Sequence, residues 1–402
     1  MSSIVPNRTI VRQVLKGFKR MGIQRRDRYA KKLRVWNTSL LYLEGILRRR
    51  RSVKDIAQHV KSSPRMQKLA ELKSIDPSAL NRRLDDMPPE VLKQTYQDLV
   101  EQYTKEHGLP KRWERLGPLA AVDSSSITLG KVRGEWAYMQ RGRNAVKLHV
   151  RLDLGSDARA LPSRVVLSTA AVADQDEEVT QELIHPDGVT YLLDRGFLNY
   201  GQYIEWSRRG ILLVARIKAN SQVRIIAKRP VHAAFVLEDA DVEVVHPQTG
   251  ECERFRLVVY TYTDEKGKTH RVRVLTNRWD VSAEEVALMY RYRWKVELFF
   301  KFMKQQLNLA KVYSASPDAV WNQMYLNLIA YLLVELWRLR VAPTQERGDW
   351  VSLLRAYLDR PWLALLQELE KPKQKTSRGR RKKGGRPRKH PKRLQAQHIV
   401  YK

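Results

Sequence analysis

The chain has 402 residues, with 75 Lys and Arg against 43 Asp and Glu, a formal net charge of +32. That surplus points to a polyanionic partner, nucleic acid ahead of an acidic membrane surface, and the length allows a sizeable core with two or three domains. Cys252 is the single cysteine, which excludes an intramolecular disulfide and a cysteine-based zinc site.

The opening MSSIVPNRTIVRQ lacks the apolar run of a signal peptide. Residues 1–112 read as helical and basic, a DNA-binding domain. RRRR at 48–51 precedes SVKDIAQHV, where Ser52 suits an N-cap with Asp55 at its third position. After a break at Ser62-Ser63-Pro64, PSALNRRL (77–84) predicts a second short helix. Two short helices joined by a turn and flanked by arginines suit a helix-turn-helix arrangement.

The texture changes after residue 112. LAAVDSSSITL (119–129), AVKLHVRLDL (145–154) and LPSRVVLSTA (161–170) predict three strands separated by glycine-containing turns. A helix EEVTQELI, a strand VTYLLD, a helix YGQYIEWSRRG and a strand ILLVARIK follow. Strands first, then alternating helix and strand, is the order of a ribonuclease-H-like α/β core, with its first part at 113–219. Asp174, Asp176, Glu177 and Glu178 read as a solvated helix start, and His149 reads as a structural histidine. Arg216 and Lys218, in VARIKAN, end a strand and are candidate DNA contacts.

From 220 to 278 the alternation has period two, through VEVVHP, FRLVVYTYT and HRVRVLT, which predicts a β-rich insertion. Helix resumes at Ser282, where SAEE offers a capping box with Glu285, and 279–345 completes the core. MYLNLIAYLLVELW (324–337) is too short for a bilayer and holds Asn327 and Glu335, so it is expected as a buried helix of a cytoplasmic, nucleoid-associated protein. A helical segment at 346–370 precedes a basic tail, 371–402, which contains no acid. Such a tail is expected to be disordered in isolation and to cling to DNA. Its GGRPRK, with Arg386, partly matches an extended minor-groove binding segment.

The stretch YRYRWKVELFFKFMK (290–304) carries the functional signal. At about 100° per residue, Tyr290, Arg293, Glu297, Lys301 and Lys304 share one narrow stripe of a helix that otherwise reads as buried nearly all round. Glu297 is the lone carboxylate in that cationic seam. Asp123 ends the apolar LAAVD and Asp194 ends TYLLD, and strand-end aspartates of adjacent parallel strands project from one sheet edge. Two aspartates and a glutamate make an all-oxygen cluster suited to magnesium, and two such ions can drive phosphodiester chemistry. Tyr290, Arg293, Lys301 and Lys304 would then meet DNA phosphates, and Trp294 would pack or stack on a base.

The spacing of Tyr290, Arg293, Glu297 and Lys304 resembles the Y-(2)-R-(3)-E-(6)-K signature of bacterial DDE transposases of the insertion sequence 4 family. VLTNR before the helix and LLDRGF around Asp194 are similar too. The resemblance implies a ribonuclease-H-like core with the triad Asp123, Asp194 and Glu297, and a β-strand insertion filling the long interval before Glu297. It implies Mg²⁺-dependent cleavage (Mn²⁺ as substitute) and transfer of 3′ ends into target DNA. The partners it implies are double-stranded DNA, namely terminal inverted repeats and target, and a second copy in a synaptic homodimer. Two other readings stand beside it: a non-catalytic DNA-binding repressor derived from such an enzyme, and a host nuclease on the same core.

Overall fold

Period-two patterning sets the centre of the molecule. The computed structural model describes residues 32–130, 134–140 and 142–371, so Arg386 and the basic tail beyond residue 371 lie outside the described residues. Among the described residues five helices come first: α1 (Val35–Leu47), α2 (Val53–Ser62), α3 (Pro64–Ala70), α4 (Pro77–Asp85) and α5 (Pro89–His107). Then come β1 (Leu119–Leu129), β2 (Tyr138–Gln140), β3 (Arg143–Leu154) and β4 (Ala160–Thr169). Helix α6 (Glu177–Leu183), β5 (Thr190–Leu193), α7 (Tyr200–Arg208) and β6 (Leu212–Arg216) alternate after them. Four strands follow, β7 (Arg224–Lys228), β8 (Val236–Val245), β9 (Cys252–Thr263) and β10 (Thr269–Thr276). The chain continues through α8 (Ala283–Tyr292), α9 (Trp294–Gln306), α10 (Pro317–Val341), α11 (Arg347–Tyr357) and α12 (Trp362–Glu370).

All the described strands form one mixed sheet, ordered β2-β3-β1-β5-β6-β10-β9-β8-β7, with β4 also on β3. The pairs β1/β5 and β5/β6 are parallel, and the remaining pairs are antiparallel. The period-two block therefore continues the central sheet through β10 on β6. The edge strand RIIAK at β7, which the alternation did not announce, is exposed along its whole length.

The two faces of the sheet are covered differently. Ala120, Val122, Tyr191, Leu193, Leu213 and Ala215 pack into one cluster with residues of α6 and α7. Ala121, Leu192 and Val214 belong to the larger cluster that also takes in the N-terminal helices and α8 to α12. Side chains alternate faces along a strand, so Asp123, within β1, and Asp194, the residue after β5, are directed to the second face. That is the face on which α8 and α9 lie.

Several expected caps are present. Ser52 Oγ accepts from the Asp55 N–H at 3.2 Å, and Ser282 with Glu285 closes a reciprocal capping box at 3.2 and 2.8 Å. The expected break at Ser62-Ser63-Pro64 is a helix start, because Ser63 caps α3 by accepting from the Met66 N–H. Helix α10 is buried as expected: Asn322 donates to Leu84 O and Met87 O, and Asn327 to Leu307 O. Among the described residues no helix is long and apolar enough to cross a membrane.

Two of the four arginines at 48–51 depart from the expected basic flank, while Arg49 and Arg51 are exposed. Arg48 and Arg50 turn inward onto Glu44, which is 1% exposed, and Arg48 also meets Asp359 on the C-terminal helical segment. A buried carboxylate needs countercharge and donors, and these two arginines supply both.

Candidate active site

The parallel β1/β5 ladder stops at Val122 and Leu193. Asp194 follows β5, whereas Asp123, expected to end its strand, lies inside β1, which runs on to Leu129 paired with β3. The two aspartates stand side by side where the ladder stops. Neighbouring strands lie roughly 4.8 Å apart. The Ser124 N–H donates to Asp123 Oδ1 at 2.8 Å. Burial pushes the Asp123 carboxyl up to about 6; the Ser124 N–H and Arg293 pull against that rise, and the charges of Asp194 and Asp174 add to it.

The helix expected as one straight rod over 290–304 is two. Arg293 N–H bonds Tyr290 O at 3.1 Å and Val296 N–H bonds Arg293 O at 3.0 Å, three-residue spans that tighten the winding at Arg293. This joint lets α8 lie along β5 and β6 while α9 lies along β1. The single stripe is thereby split: Tyr290 serves Asp194 and Glu297 approaches Asp123. The Tyr290 hydroxyl donates to Asp194 Oδ1 at 3.2 Å. Burial first, with Asp194 adding, raises the Tyr290 phenol far above its ordinary range, so it stays a proton donor.

Arg293 ties the assembly together. Nη1 donates to Asp123 Oδ2 at 3.3 Å and Nη2 to Glu297 Oε1 at 2.5 Å, and the guanidinium lies 5.8 Å from the Tyr290 ring centroid. One guanidinium thus spans two of the three acidic side chains, and Tyr290 links it to the third. Burial works against its charge, and Tyr290, Asp194, Glu297 and Asp123 more than offset that, raising its pKa. Its Nε is buried with no hydrogen-bond partner among the described residues. Among the described residues no three His, Cys, Asp or Glu side chains are gathered closely enough to hold one metal ion.

The other expected contacts spread outward from this centre. Lys301 and Lys304 are exposed on α9. Trp294 is 56% exposed and Leu298 47% exposed, so α9 is not buried all round: one turn presents an apolar strip beside Glu297. Arg216 is half-buried at the end of β6, close enough to contribute to the electrostatics of Tyr290, while Lys218 is exposed two residues on.

Two features escaped the sequence reading. Tyr260 on β9 is 6% exposed, and Tyr290, Arg216 and Arg293 all bear on its phenol, which burial raises far above the ordinary range. The parity of VVYTYT was the available signal, since Tyr260 shares its face with Val258. Asp174, read as part of a solvated helix start, instead turns inward and accepts from Ser124 Oγ at 2.7 Å and Lys147 Nζ at 3.1 Å. Asp176 is the N-cap of α6, accepting from the Glu178 N–H.

The family described as the transposase DDE domain matches residues 114–333. A probable transposase for insertion sequence element IS5377 of Geobacillus stearothermophilus is 29% identical over 284 residues, 70% of this chain and 72% of that protein. A putative transposase, y4zB, of Sinorhizobium fredii is 27% identical over 230 residues, 56% of this chain and 62% of that protein. The transposase InsG for insertion sequence element IS4 of Escherichia coli is 23% identical over 191 residues, covering 45% of this chain and 42% of that protein.

Proposed function

The chain belongs to the transposase DDE domain family, and from that premise we propose that it binds the terminal inverted repeats of an insertion sequence, cleaves there with divalent metal and joins the 3′ ends to target DNA. One observation carries this reading: Asp123 and Asp194 stand side by side where the parallel β1/β5 ladder stops, with Glu297 linked to Asp123 through the shared Arg293. The strand order β4-β3-β1-β5-β6, parallel across its last three members, supports a ribonuclease-H-like core.

The chemistry of the donors, though not their present spacing, suits the metal this reaction needs. Three carboxylates offer hard oxygen ligands of the kind magnesium takes, and the positive charge they require is now provided by Arg293. Asp123, Asp194 and Glu297 would hold the metal, with Glu297, whose side chain is 36% exposed, exchanging its arginine partner for it. Bound there, two Mg²⁺ ions, or Mn²⁺ in their place, supply an activated water or 3′ hydroxyl and stabilise the leaving oxygen.

The protein's own groups do the positioning. Arg293, once released by Glu297, has a donor face including the unpartnered Nε for a phosphate oxygen. Lys301 and Lys304 extend that positive track along α9, and Arg216 and Lys218 extend it past β6. Tyr290 holds Asp194 in place and offers a neutral hydroxyl to a phosphate. Trp294 is free to meet a base face. Two copies acting together at paired ends follow from the family reading and from the need to join two ends at once.

Incubation of the purified chain with Mg²⁺ and a duplex carrying the element end tests this directly. Joined products are the expected result. Nicks without joining would assign a nuclease, and retention of uncut duplex alone would assign a DNA-binding repressor.

A further inference from the structure

Behind the strand-end aspartates lies a fourth carboxylate. Ser124 alternates to the opposite face from Asp123, and its hydroxyl donates to Asp174 Oδ1 at 2.7 Å. The same residue's N–H donates to Asp123 Oδ1 at 2.8 Å. Ser124 is therefore a two-ended link: its side chain is fixed by Asp174, and its backbone fixes the Asp123 carboxylate.

Asp174 is itself anchored from the neighbouring strand. Lys147 Nζ, on β3, donates to Asp174 Oδ1 at 3.1 Å and to Val172 O at 2.7 Å. His149, fully buried on the same strand, sets Nδ1 3.5 Å from Asp174 Oδ1, and its Nε2 meets Ser168 Oγ on β4 at 2.8 Å. On the other side, Asp174 Oδ2 lies where a Cβ on Gly196 would come within 3.1 Å, in the turn that follows Asp194. One carboxylate thus bonds to β1 and β3 and lies beside the turn after β5. A solvated helix-start aspartate has no reason to be held on so many sides.

We propose that Asp174 is a positioning residue for the metal-binding carboxylates: through Ser124 it fixes the direction of Asp123. The inference rests on the metal-dependent reading of the site given above. Groups that orient metal ligands from behind typically alter affinity by about 10-fold to 100-fold when removed. Asp174 touches neither metal nor DNA in this account, so its removal weakens metal binding without weakening DNA binding.

The test is Mn²⁺ affinity, read from the electron paramagnetic resonance of free Mn²⁺ titrated with the full chain, without DNA. Asp123→Ala serves as the reference, and circular dichroism checks that each variant is folded. Asp174→Ala is expected to weaken Mn²⁺ binding by about tenfold, and Ser124→Ala, which removes the link while leaving the carboxylate, to do the same. The double variant is expected to be no worse than the single ones, because both act through one path. Full affinity in Ser124→Ala or in a folded Asp174→Ala, with Asp123→Ala deficient, overturns the positioning role and leaves the site reading standing. Full affinity in Asp123→Ala overturns the metal reading itself and this inference with it.

Discussion

Two arginine–carboxylate networks in this molecule are built from the same chemistry and do different work. On α10, Glu335 is 1% exposed and is gripped by both Arg338 and Arg347, at 3.1 and 3.0 Å from the first and 2.8 and 3.1 Å from the second. Despite burial, the two arginines hold its carboxyl below the usual range. At the strand ends, Asp123 and Glu297 share a single arginine, each through one contact, with side chains 23% and 36% exposed. There burial wins and the Asp123 carboxyl rises. A fully satisfied pair is a fastener. A half-satisfied pair facing solvent is poised to change partners, which is what a metal and a phosphate ask of it.

Changes at the strand ends should have the largest functional effect and little structural one. Asp123→Asn, Asp194→Asn or Glu297→Gln is expected to bring end cleavage below detection while stability moves by no more than about 1 kcal/mol. Denaturant melts alongside a cleavage gel would reveal a breach of either half. At α10 the order reverses: Glu335→Ala leaves the buried Arg338 and the half-buried Arg347 without their carboxylate and is expected to cost about 3–5 kcal/mol. An unchanged unfolding midpoint there would remove the distinction between the two networks.

Mg²⁺ sharpens the same contrast. At one hundred times its dissociation constant, a ligand that binds only the folded chain adds about 2.7 kcal/mol. Thermal melts should show that gain in the parent chain and lose it in Asp123→Asn, while a Mg²⁺ shift of equal size in both proteins would place the ion elsewhere. The smallest effect belongs to the exposed lysines. Lys304→Ala should leave the melt unchanged and lower the salt slope of DNA binding by about one, and an unaltered slope would take Lys304 out of the phosphate track.

Much of this architecture was legible because it rests on short-range rules. LAAVDSSSITL and its successors form strands where apolar alternation and turns say they should, and the Ser52 and Ser282 caps follow from local side-chain geometry. Asp123, Asp194 and the Tyr290–Lys304 spacing stood out for the same reason: each is visible within a few residues. What stayed hidden depends on distant parts of the chain. The joint at Arg293 arises where α8 follows β5 and α9 follows β1, and no helical wheel contains that information. Arg48 and Arg50 look like a DNA-facing run until Glu44 and Asp359 come into contact with them. Asp174 looks like the next acid before a helix until Ser124, Lys147 and His149 surround it.

The central claim is most directly tested by crystals of the chain bound to an element-end duplex and soaked in Mn²⁺, with anomalous scattering locating the metal. Mn²⁺ peaks touching Asp123, Asp194 and Glu297 are expected, with Arg293 no longer bridging Asp123 and Glu297. Mn²⁺ bound away from these carboxylates, or Arg293 still joining Asp123 to Glu297 with DNA in place, would contradict it.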